Sequence, residues 1–187
     1  MLRGGKELWF AFLTCVLITG VYGVFVFLTN TIPAASDLFG HTIGILGFIL
    51  MILTETLYSF RKRSKNASWG RMSTWLQFHI FMGLVGPYMV LLHTSWKFNG
   101  LAGATTLLTF IIVFSGFIGR YIYTRIPRTL DGLEIEGTLS QEALKRARQL
   151  MSLWHTVHIP IGIALFISAF VHMGAALYYA TFLKLGG

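Results

Sequence analysis

The chain has 187 residues, of which 55% are hydrophobic and only 12% charged, and it carries a net charge of +8. A soluble domain holds about twice that share of charged residues, so a soluble globular protein is excluded and an integral membrane protein is expected. The basic excess gathers in a few connections, not on one coherent face, which argues against nucleic acid as a partner and for anionic lipid headgroups as neighbours.

Apolar runs long enough to cross about 30 Å of hydrocarbon occur five times, at about 8–28, 41–60, 74–94, 101–123 and 150–183. They predict an all-α fold, a single membrane domain of five transmembrane helices. The first run follows a short basic stretch, but its length of about 21 residues exceeds the apolar core of a signal peptide, so a retained helix is expected. Cys15 lies within it. A lone cysteine builds neither a disulfide framework nor a metal cluster, and no CxxCH motif is present to attach a c-type haem.

Thirteen of the fifteen Lys and Arg residues fall on one predicted side: before the first run, in the second connection, and around the fourth. Lys and Arg accumulate in cytoplasmic loops. The N-terminus is therefore expected in the cytoplasm and the C-terminus outside, in the inner (plasma) membrane of a prokaryote. The tryptophans, Trp154 among them, fall near the ends of runs, as interfacial anchors do.

The second run opens at His41 and carries Glu55 about one turn from its cytoplasmic end, the only acid inside a predicted span. A buried carboxyl is suited to exchanging protons, so Glu55 is a candidate quinone contact; pairing with a nearby arginine is the alternative. His41 is a second candidate, for a quinone or a haem propionate. Arg120, at the inner end of the fourth run, is suited to holding a propionate through bidentate contact, although topology alone accounts for an arginine there. Between the fourth and fifth runs lies a polar cytoplasmic connector, about 124–149. Turns are expected at Pro127 and at Asp131-Gly132, followed by a short amphipathic helix over about 138–150 with Ser140 as its N-cap.

The third run contains HIFMGLVGPYMVLLH, residues 79–93, and the fifth contains HIPIGIALFISAFVH, residues 158–172. Each has a histidine at both ends, fourteen positions apart. Fourteen residues turn a helix through about 1400°, some 40° short of four turns, and rise about 21 Å. His79 and His93 thus share one face near opposite membrane surfaces, and so do His158 and His172. The two helices run in the same direction, which sets His79 level with His158 and His93 level with His172. Imidazoles within a membrane face the bundle interior and mark function. Two facing neutral imidazoles suit a haem iron held from both sides, so two b-type haems are expected, with the four histidines as metal ligands. Gly83 and Gly162, each four residues after an inner histidine, leave room for a porphyrin. His155 is out of phase with His172 by about 100° and is a candidate for a propionate or quinone contact.

Two membrane helices with paired histidines, separated by a helix with none, resemble the transmembrane part of the ferric reductase and NADPH oxidase group; the bis-histidine b cytochromes of quinol-oxidising bc complexes have similar spacing. The resemblance rests on His79, His93, His158 and His172. Its oxidase-type members continue into a flavin and nicotinamide domain, whereas only four residues follow the fifth run here, and members usually have six spans instead of five. Electrons are accordingly expected from a quinol, menaquinol or ubiquinol, or from a partner protein: a c-type cytochrome, an iron-sulfur protein or a flavoprotein. The expectation is an electron-transfer subunit more than a complete enzyme. Its alternatives are a ferric-reductase-like haem subunit fed by a separate flavoprotein, and a membrane anchor without haem.

Overall fold

Apolar sequence without β-branched alternation or frequent turns favours helix, and in lipid the helix satisfies its own backbone. The computed structural model describes residues 5–64, 70–126 and 140–185, with side chains to residue 179. It contains five helices: α1 (Lys6–Thr29), α2 (Leu38–Arg63), α3 (Met72–His93), α4 (Gly100–Arg125) and α5 (Gln141–Leu185). Each is long and apolar enough to cross a membrane, and there is no strand among the described residues. Large apolar side chains such as Leu17, Phe27, Phe114 and Ile167 face outward, as a lipid-facing surface requires.

The fifth helix corrects one expectation. The amphipathic segment does not form a separate surface helix; from Gln141 it runs without a break into the apolar segment. The 45-residue helix is about 68 Å long, so its first turns extend beyond any bilayer core. Ser140 caps it as expected, its Oγ accepting the Ala143 N–H at 3.3 Å. The expected turns at Pro127 and Asp131-Gly132 lie outside the described residues.

Two helix pairs form the frame. In the first, α2 crosses α3 where Gly47 meets Gly86. A Cβ on either glycine would lie 2.8–2.9 Å from the other's carbonyl oxygen, so only glycine permits this approach. The second pair, α4 with α5, closes where the Trp154 ring covers Gly119; a Cβ there would sit 2.2 Å from the indole. Thr105 and Ser168 add a hydroxyl hydrogen bond of 2.6 Å. Helix α1 is pinned from outside at three levels: Glu7 to Arg120 on α4, Thr19 to Tyr88 on α3, and Phe25 stacked on Phe39 of α2.

Backbone contact joins α2 to α3, α4 to α5, and α3 to α1 and α4. The two histidine-bearing helices, α3 and α5, come within 8 Å of one another at no Cα among the described residues. Between them the frame leaves a gap.

Candidate functional site

Near the N-terminal end of α3 the gap widens into a cleft, partly open to its surroundings. His79 enters from α3 and His158 from α5, with Thr54 and Glu55 from α2 and Arg120 from α4 on its walls. The rest of the lining is apolar, with Met51, Leu84, Ile112 and Phe166 among it. Further along α5, Phe166 meets Phe48 of α2 at 6.2 Å, and Phe48 also lies edge-on to Phe170 at 5.5 Å. Phe166 also lines the cleft.

The imidazoles are oriented through Nδ1. That of His79 lies 3.1 Å from the Thr54 carbonyl oxygen, and that of His93 lies 2.9 Å from the carbonyl oxygen of Gly40. A carbonyl only accepts, so Nδ1 carries the proton in both rings and Nε2 is left with its lone pair. His158 Nδ1 is 2.5 Å from Ser115 Oγ. Ser115 Oγ also lies 3.1 Å from the Ile112 carbonyl oxygen; with the hydroxyl proton directed there, Oγ accepts from His158 and the same tautomer follows. His172 makes no hydrogen bond among the described residues.

Each ring is also packed. Gly44 gives room to His93, since a Cβ there would lie 2.6 Å from the imidazole. Trp154 stacks on His158 at 4.6 Å and donates its indole N–H to the Ser115 carbonyl at 2.7 Å. The ring of Tyr58 lies 4.8 Å from that of His79.

Gly83 and Gly162 both line the cleft, with Gly116. A Cβ on Gly83 or Gly162 would meet nothing nearer than 3.6 Å, and one on Gly116 nothing within 4 Å. These glycines are not demanded by helix packing, unlike Gly47, Gly86 and Gly119. They leave open volume beside His79 and His158.

The remaining candidates divide. Glu55 lines the cleft, is exposed, accepts the Ser59 hydroxyl at 3.3 Å and forms no ion pair among the described residues. Arg120 also lines the cleft, but its Nε and Nη2 both reach Glu7 Oε1, at 3.0 and 2.8 Å. His41 is exposed, edge-on to His93 at 6.3 Å. His155 lies against Trp154, with ring centroids 4.7 Å apart. Sequence reasoning missed Ser115, Trp154, Glu7 and the glycines Gly40 and Gly44. The Ser-x-x-x-Gly spacing of Ser115 and Gly119, and Trp154 one turn before His158, are the signals that point to the inner set.

No group of three or more His, Cys, Asp or Glu side chains gathers at metal-binding distance among the described residues. Paired imidazoles without further ligands do not make a four-coordinate zinc site. The cleft itself is mainly apolar, and Gly83, Gly116 and Gly162 leave open space along it. No protein-family model, curated protein or solved structure matches this chain.

Proposed function

We propose that the chain is a dihaem b-type cytochrome of a prokaryotic plasma membrane, carrying electrons across the bilayer between a quinol pool or redox partner and an acceptor protein. Its N-terminus lies in the cytoplasm and its C-terminus outside. The inner haem is held by His79 and His158, and the outer haem by His93 and His172.

One observation carries this reading. Three histidines on two helices held apart have Nδ1 tied to an acceptor, so that Nε2 is the available ligand nitrogen. Histidines that bind metals are oriented in this way, and the second hydrogen bond raises their basicity. When bound, b-type haem supplies reversible one-electron chemistry. The chain fixes the ligands, leaves a gap between α3 and α5, and shields the inner position with Met51, Ile112 and Phe166. Gly83, Gly116 and Gly162 make the space. A c-type cytochrome, an iron-sulfur protein or a flavoprotein is the proposed class of partner.

Low-temperature paramagnetic resonance of the oxidised, purified protein tests the ligand set. Low-spin ferric signals of bis-imidazole character, with almost no high-spin component, are expected. A dominant high-spin signal would contradict paired histidine ligation.

A further inference from the structure

Arg120 lines the inner cleft with His79 and His158, whereas its ion-pair partner Glu7 does not. Nε and Nη2 of the guanidinium both donate to Glu7 Oε1, at 3.0 and 2.8 Å, and the glutamate side chain is only 2% exposed. The pair thus presents its positive member to the cleft and keeps its negative member off the cleft wall. Glu55, the other acid among the lining residues, is exposed and accepts only the Ser59 hydroxyl.

The start of α1 is shaped around this pair. Gly5 has left-handed backbone at φ 58°, and a Cβ there would lie 3.7 Å from Arg120 Nη2. Its carbonyl accepts the N–H groups of Leu8 and Trp9, which opens the helix with Glu7 in the first turn. The helix dipole favours an acid in that turn, but it does not require a buried one, and Glu7 Oε2 has no partner among the described residues. Buried ion pairs are weak sources of stability, since apolar residues of similar volume do as well or better, and an unsatisfied carboxylate oxygen adds to the cost. Stability therefore does not account for the pair. Charge does: Arg120 alone would leave a full positive charge on a low-dielectric wall, and with Glu7 it leaves the weaker field of a dipole whose positive end is toward the histidines.

We propose that Glu7 is a positioning residue of the inner site, which holds Arg120 at the cleft, offsets its charge, and so sets the redox potential at His79 and His158 without acting at His93 and His172. The inference rests on the dihaem reading and deepens it. Reduction adds one electron to the inner site; a cation nearby favours the more negative state and an anion opposes it, as both do for a titrating group.

Potentiometric titration of the full chain tests this, with the two haems assigned from the His79→Ala and His93→Ala variants. Glu7→Gln keeps an amide oxygen for Arg120 but leaves the guanidinium charge without its counterion. The reduced-to-oxidised ratio of the inner haem at a fixed applied potential should rise about tenfold, the low end of what one nearby charge does to a protonation equilibrium, which is about 59 mV for one electron. Glu7→Gln combined with Arg120→Gln removes both charges, and the inner potential should fall below that of the parent because the member at the cleft is lost. The double variant leaves no unpaired buried charge and serves if Glu7→Gln does not fold. The outer potential should stay in place in both. A pair that only fastens α1 to α4 would change melting temperature or haem content and leave the potential of the retained inner haem where it was. An unmoved inner potential, a shift of the same sign in both variants, or an outer shift as large as the inner one would each overturn the proposal. A dihaem chain with unmoved potentials defeats this inference alone, whereas a chain without haem defeats the dihaem reading and this inference together.

Discussion

The inner and outer histidine pairs differ in how they are held. At the inner level both rings have an Nδ1 partner, His79 a carbonyl and His158 a serine hydroxyl, and Trp154 stacks on the second. At the outer level His93 is tied to Gly40 and seated on Gly44, while His172 has no hydrogen bond among the described residues. The inner pair also faces a cleft in which three glycines leave space. The outer region is fastened mainly through its connections: Ser95 Oγ donates to the Pro33 carbonyl at 2.5 Å, and Ser95 and Trp96 both adopt left-handed backbone, which few residues with side chains do. Both levels use the α2 backbone, to which the inner adds Ser115 and Trp154 and the outer a loop. Ligand orientation is therefore expected to be firmer at the inner level, since partners of this kind contribute to metal affinity.

The largest effects should come from the ligands. His79→Ala or His158→Ala should each remove the inner haem and leave one per chain, and His93→Ala should remove the outer haem alone. Haem content by pyridine haemochrome measures this, and unchanged content in all three variants would void the ligand assignment.

Alanine at matched glycines sharpens the contrast. Gly44→Ala places a methyl 2.6 Å from the His93 ring and should cost about 1–3 kcal/mol through overpacking, together with loss of outer haem. Gly83→Ala meets only a Thr54 methyl at 3.6 Å. Its haem-free form should melt no lower than the parent, because alanine favours helix over glycine by up to about 1 kcal/mol, while its inner haem is retained less well. Thermal melting in detergent, with and without haem, separates the two results.

The smallest effect concerns Ser115. Ser115→Ala removes the acceptor of His158 Nδ1 and should weaken inner haem retention by about 10–100-fold, leaving outer haem in place. Transfer of haem to an apoprotein acceptor reads this as one fast phase and one unchanged phase. Equal acceleration of both phases would show that the two levels are not independently organised.

Much of the fold was legible in sequence because lipid imposes a simple rule on length and polarity. The five apolar runs correspond to α1 to α5, with ends shifted by a few residues at most except at the start of α5. There a charged amphipathic segment continues the helix of an apolar one, and composition changes without any break in backbone. The fourteen-residue histidine spacing was legible because helical phase converts it directly into shared faces. The partners of those histidines were not: Thr54 and Gly40 act through carbonyl oxygens, which every residue has, and the contact depends on how α2 lies along α3. Trp154 read as an interfacial anchor because its position near a helix end is typical of one, whereas its ring packs on Gly119 and His158. Glu7 lay one residue outside the first apolar run, so its burial became visible only when Arg120 was placed beside it. Phe48 has the same sequence context as a lipid-facing phenylalanine, and only its contacts with α5 distinguish it.

The most direct test of the central claim is a haem count per polypeptide on the purified protein, by pyridine haemochrome against quantitative amino-acid analysis. Two b-type haems per chain are predicted from two pairs of histidines at two depths. No haem would contradict the account outright, and a single haem would contradict the assignment of one haem to each histidine pair.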